Sequence, residues 1–225
     1  AETYYDREVS WPTFPEQLEN AGISWRIYQN EITLDSGLSK DEDAWLSSFG
    51  DNPLEWFSQF NIRFAKSRRA YLDTLPADPR TENERAKYTD DAWRALSPAA
   101  RALHDKAFTT NEGDPSFRSV TKLSYQDGDV AREVSVPSGD VLYRFRRDVE
   151  SGALPAVSWL IAPQNFSDHP SAPWYGAWYV SEALDILTKK PDVWKKTVFI
   201  LCYDENDGYF DHVPPFVAPH PTRAE

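Results

Sequence analysis

The chain has 225 residues, of which 40% are hydrophobic, 14% aromatic and 27% charged, a globular composition with room for one large domain or two small ones. A formal net charge of −12 argues against a nucleic-acid partner, because phosphate binding needs basic surface; an anionic substrate stays open if a bound metal supplies positive potential. No apolar run reaches the roughly 18 residues of a membrane span, no signal peptide is visible, and the single Cys202 rules out a disulfide within the chain.

In chain order, TFPEQLENAG (13–22) has the marks of a short helix, with Pro15 in its first turn and Gly22 as its stop. ISWRIYQNEI (23–32) alternates apolar and polar residues as a strand does. Residues 35–52 are expected to be loop with a short helix around DEDAWLSSF. Asn52-Pro53 then opens a long helix, PLEWFSQFNIRFAKSRRAYLDTL, whose basic later part is a solvated face. PADPRTENERAKYTDD (76–91) is polar and reads as a connector. SPAARALHDKAFTTN (97–111) is a second helix, with Ser97 as N-cap and Pro98 at the first helical position. Its His104 is expected to serve packing or surface rather than ligation. TKLSYQDG and DVAREVSVPSG form two strands around the turn Asp127-Gly128. VLYRFRRDVESGALP (141–155) is a helix that stops at Gly152.

The last third is the most regular. AVSWLIAP (156–163) is an apolar run, NFSDHPSAP (165–173) a loop, and WYGAWYVSEALDILTKKPDVWKK (174–196) a helix ending near Pro191. TVFILCYD (197–204) is a second apolar run. Strand, loop, helix, strand is a βαβ unit with a right-handed crossover, and apolar runs without alternation fit parallel strands covered on both faces.

That second run leads straight into DENDGYFDH, four acids and a histidine around Gly208. In an open α/β sheet, ligands gather at the carboxyl ends of the strands. Both SDHP and DENDGYFDH leave from that edge, so His169, Asp204, Glu205 and His212 are expected to converge there. Paired carboxylates at a strand end are costly to bury unless a cation sits between them, and a divalent metal is the usual partner. The competing reading is an acidic surface loop with a glycine turn. DENDG is not a calcium loop of the EF-hand type, and no glycine-rich phosphate loop, CxxC, HExxH or GxSxG occurs.

TFPEQLENAGISWRIYQ, FGDNPLEWF, AVSWLIAPQNFSDHPSAPWYGAWYVSEALDIL and TVFILCYDENDGYFDHVPP together resemble the bacterial phospholipase C and acid phosphatase family of phosphoesterases. Within it they are most similar to the phosphocholine-preferring, non-hemolytic phospholipases C. The blocks cover about a third of the chain, in the right order. The resemblance implies an alkaline-phosphatase-like α/β fold, with a mostly parallel sheet and flanking helices, present here in part. It implies a divalent metal, its identity open, bound by Asp204 and Glu205 of YDE. It places His212 and His169 near the metal or the phosphate, where they would hydrogen-bond phosphoryl oxygens or carry a proton to the leaving group.

The same resemblance implies a phospholipid substrate at a membrane surface and a secreted or periplasmic location. The choline would rest on aromatic faces: Trp174 and Tyr175 are candidates, as are Trp25 and Tyr28, with core packing as the competing use. In the family, an earlier region carries a Glu-Asn metal pair and a Ser or Thr nucleophile, and nothing here matches it. With no start methionine and no Met at all, the chain is expected to be the central to C-terminal part of a catalytic domain, residues 1–225, with 76–140 as an insertion or connector. An isolated chain of that kind is expected to be inactive. A phosphomonoesterase of the same superfamily and a non-catalytic metal- or partner-binding piece are the alternatives.

Overall fold

The computed structural model describes residues 8–167, 173–203, 212, 213 and 216. Two parallel strands stand at its centre: β1 (Trp25–Tyr28) pairs with β4 (Val157–Leu160), in a register that sets Trp25 beside Val157 and Tyr28 beside Leu160. On its other flank β1 bonds to an extended run at Thr109, where Gln29 N donates to Thr109 O at 3.1 Å. Successive side chains of a strand point to opposite faces, and each face of this sheet has its own core. Trp25, Ile27, Val157, Trp159 and Ile161 pack with Leu18, Phe60, Ile62 and Phe108 on one side. Tyr28, Leu160 and Ala162 pack with Trp45, Phe145, Tyr179 and Ile186 on the other. The result is a three-layer α/β arrangement, as expected for apolar parallel strands.

The layers are built from helices the sequence mostly announces. On the first face lie α1 (Phe14–Asn20) and, later in the chain, the helix over Pro98–Ala107. The start of α1 is a capping box, in which Glu16 accepts from Thr13 N at 2.8 Å. On the second face lies α2 (Lys40–Leu46), whose N-cap Ser39 accepts from Glu42 N.

The long helix expected from Pro53 is not continuous. Three short 3-10 turns, Pro53–Trp56, Ser58–Phe60 and Ile62–Phe64, precede α3 (Lys66–Thr74). Asn61 breaks the run at φ 56, the left-handed region that Asn tolerates better than most residues. The breaks let Phe60 and Ile62 both point into the first core, at 0% and 1% exposure. The expected connector at 76–91 is instead helical over α4 (Pro79–Lys87), and α5 (Asp90–Ala95) follows. Asp78 caps α4 by accepting from Arg80 N and Thr81 N, and Pro79 sits at its first position. Hydrophobic periodicity is absent from α4 because it docks through charge: Glu84 takes Arg68 at 3.0 Å and Arg63 at 3.0 Å. Burial alone would raise the Glu84 carboxyl, but the two arginines outweigh it and hold it below the usual range.

The Pro98–Ala107 helix, α6, forms as expected, with Ser97 accepting from Ala100 N at 3.1 Å. The hairpin forms too: β2 (Val120–Asp127) pairs antiparallel with β3 (Val130–Pro137), and Gly128 turns it at φ 61. Most of β2 is exposed, and Val120 and Val134 tie the base of the ribbon to the second core. Next, α7 (Tyr143–Ser151) ends at Gly152, whose φ of 73 an L side chain would resist. After β4 comes a 3-10 turn, Gln164–Phe166, then α8 (Pro173–Thr188) and α9 (Pro191–Trp194).

The βαβ unit expected over 156–204 is not closed. The strand partner of β4 is β1, and 197–203 form no strand. Phe199 packs against the second core, but Val198, Ile200, Leu201 and Tyr203 are 85%, 75%, 51% and 64% exposed. An apolar run reports what a segment would bury, not whether the covering layer is present.

Candidate active-site edge

The carboxyl ends of β1 and β4 lie side by side, because the strands are parallel and in register. From this edge the chain continues as Gln29-Asn30-Glu31 after β1 and as Ile161 to Phe166 after β4. Gln164 N donates to Ser47 O at 2.9 Å, which ties the end of α2 to the same edge. Phe166 is buried there among Trp45, Tyr175, Trp178 and Tyr179, with ring centroids 5.6, 6.1, 5.4 and 6.2 Å away. SDHP (167–170) follows directly in sequence.

His169, Asp204 and Glu205 lie outside the described residues, as do Gly208 and Phe210. His212 is described and exposed. Among the described residues, no group of three His, Cys, Asp or Glu stands close enough to hold a metal ion. The convergence expected of His169, Asp204, Glu205 and His212 is therefore not visible in the described part.

A feature that motif reading passed over is a buried polar network under the end of β1. Gln29, Asn30, Glu31, Asn52, Glu55 and Asn111 are each at most 3% exposed. Asn30 Nδ2 donates to Leu46 O and Phe117 O, and Asn111 Nδ2 donates to Asn30 Oδ1 and Val141 O. Asn52 Nδ2 donates to Gln29 Oε1 at 2.7 Å and to Ala107 O at 2.9 Å. Glu55 accepts from Thr33 N and Leu34 N. Glu31 pairs with Arg118 and accepts from Ser67 Oγ. Burial raises the Glu31 carboxyl despite the Arg118 charge and these hydrogen bonds.

Nearly every polar atom of this network is engaged, so its work is to hold loops from five parts of the chain in fixed positions. The signal in the sequence is QNE directly after WRIY, three polar residues in a row where alternation would have continued. A second such group ties β1 to α7: Asp148 accepts from Tyr28 Oη at 2.7 Å and pairs with Arg26 and Arg144.

The four aromatic candidates separate cleanly. Trp25 and Tyr28 are 1% and 3% exposed and belong to the two cores. Trp174 is 84% exposed and Tyr175 36%, both on the first turn of α8 at the site edge. His104 is buried, with Nδ1 3.0 Å from Phe60 O and its ring against Trp93 and Phe108, so it serves packing.

Three layers with paired loops at the carboxyl edge of parallel strands define an α/β protein of the kind that binds ligands at strand ends. The chain belongs to the Phosphoesterase family, whose model matches residues 2–225. It is 36% identical over 213 residues to the non-hemolytic phospholipase C of Burkholderia pseudomallei, covering 93% of this chain and 22% of that protein. It is 31% identical over 216 residues to the non-hemolytic phospholipase C of Pseudomonas aeruginosa, covering 95% of this chain and 20% of the relative. To phospholipase C B of Mycobacterium tuberculosis it is 45% identical over 220 residues, 97% of this chain and 28% of the relative. The chain thus spans between a fifth and a third of the length of these relatives.

Proposed function

We propose that the chain is part of a phospholipase C that cleaves the phosphodiester of choline phospholipids to diacylglycerol and phosphocholine. The observation that carries this reading is the family match over residues 2–225, joined to relatives named non-hemolytic phospholipase C along nearly the whole chain. The small share of those relatives that the chain spans supports reading it as a piece of a larger protein; on this reading it is the central to C-terminal part of a catalytic domain, with 76–140 as an insertion or connector. On the same reading the full fold is alkaline-phosphatase-like and the protein is exported.

Asp204 and Glu205 are the residues that would hold a divalent metal. Adjacent carboxylates are hard oxygen donors, which suit such cations. Bound there, the metal would neutralise phosphoryl charge and lower the pKa of an attacking hydroxyl. His169 and His212 would donate hydrogen bonds to the phosphoryl oxygens, or pass a proton to the diacylglycerol oxygen as it leaves. The Gln29–Asn111 network beneath β1 would keep the edge in place while the substrate's charge shifts.

The test is hydrolysis of a chromogenic choline phosphodiester, with divalent metals added singly, by this chain and by the longer protein that contains it. The longer protein should turn over and this chain should not. Asp204→Asn in the longer protein should weaken metal binding and lower the rate by at least about a hundredfold. Faster hydrolysis of a simple phosphomonoester than of the diester would make the protein a phosphatase. Turnover by this chain alone would put the nucleophile within its 225 residues.

A further inference from the structure

The first two turns of α8 carry a patch that neither core uses. Trp174 is 84% exposed, Trp178 47% and Tyr175 36%. Residues 174 and 178 are one turn apart and share a helix face. Tyr175 is backed by the buried Trp45, at 5.1 Å between centroids, and Trp178 by the buried Phe166, at 5.4 Å. Those two rings are thus held in place with one side outward, which lowers the ordering cost of docking.

We propose that Trp174, Tyr175 and Trp178 form the surface that seats this protein on a zwitterionic phospholipid bilayer. The inference rests on the phospholipase reading and names where that enzyme meets its substrate. Three observations favour lipid as the occupant. The patch is built mainly from Trp and Tyr, whose rings have an apolar body and a polar tip suited to the headgroup layer. No charged residue occurs from Pro173 to Ser181, so this stretch of α8 brings no charge of its own to be stripped of water. The net charge of −12 opposes approach to an anionic membrane and leaves a neutral phosphocholine surface accessible. The patch also adjoins the SDHP loop in sequence, so a bilayer on it would present headgroups at the site edge.

The experiment is co-sedimentation of the 225-residue chain with phosphatidylcholine vesicles, with a chelator present so that no lipid is consumed. Wild type should sediment with the vesicles, and less so as phosphatidylglycerol replaces phosphatidylcholine. Trp174→Ala should weaken binding on the order of tenfold with an unchanged melting temperature, since a ring so exposed leaves no cavity. Trp11→Ala, which removes a ring 61% exposed elsewhere on the molecule, should bind as wild type does. Equal binding by Trp174→Ala and wild type, or no binding by wild type, would overturn the surface. Self-association without lipid that Trp174→Ala abolishes would assign the patch to a second copy and overturn it too. The assay reads no catalysis, so failure of the soluble-substrate test leaves its result standing, and loss of vesicle binding leaves the phosphodiesterase reading intact.

Discussion

At the scale of single residues, His104 shows how burial decides a role. Its ring is 8% exposed between Trp93 and Phe108. Burial lowers its pKa, against the opposite pull of the Phe60 and Asn61 carbonyls and of Asp105; Arg69 adds a little to the lowering. The unfolded chain, with a histidine near the ordinary value of about 6.5, therefore binds the proton more readily than the folded one. His104 contributes stability that is whole above about pH 6.5 and is lost as pH falls toward the folded-state value. Urea unfolding at pH 7 and pH 5 should show a smaller loss on acidification in His104→Gln than in wild type. An equal loss would mean that other groups set the acid limit. The sequence places His104 on a helix and assigns it to packing or surface; choosing between these took the neighbours, which come from residues 60, 93 and 108.

At the scale of elements, local chemistry was the better guide wherever a cap was present. Thr13, Ser39, Ser97 and Gly152 sit where their helices begin or end. Ser97→Ala should destabilise the protein by about 1 kcal/mol, and Ser97→Asp should retain most of that, as thermal unfolding would measure. No effect of the alanine would mean that tertiary packing, and not the cap, sets the start of α6. Periodicity misled at two places. The apolar spacing after Pro53 continues past Asn61, yet the backbone turns left-handed there and aims Phe60 and Ile62 into one core. Conversely, α4 carries no apolar stripe and forms because Asp78 caps it and Arg63 and Arg68 receive Glu84.

At the scale of the molecule, the open question is the apolar segment after α9. Phe199 is tied to the second core while Val198 and Ile200 face outward. In this chain Val198→Lys and Ile200→Lys should each change stability by less than about 0.5 kcal/mol, as surface substitutions do. Phe199→Ala should cost roughly 2 kcal/mol, about half the loss at a fully buried ring. A cost of several kcal/mol for Val198→Lys in chemical denaturation would show that the segment pairs as a covered strand in solution. The same substitutions in a longer protein, where a strand would be buried on both faces, should be far more damaging.

The sequence by itself determined the family, because YDE and SDHP stand in order behind apolar runs among blocks that span residues 13–215. It also determined the helices at 13–22, 97–111 and 141–155 and the hairpin, because caps and turns are settled by residues a few positions apart. Only the tertiary structure decided that β4 pairs with β1 across more than a hundred intervening residues, that Trp25 and Tyr28 are core while Trp174 is surface, and that Gln29, Asn30 and Glu31 anchor one network. Pairing, burial and hydrogen-bond partnership are relations between distant segments, and the free energy that selects them exists only once those segments are brought together.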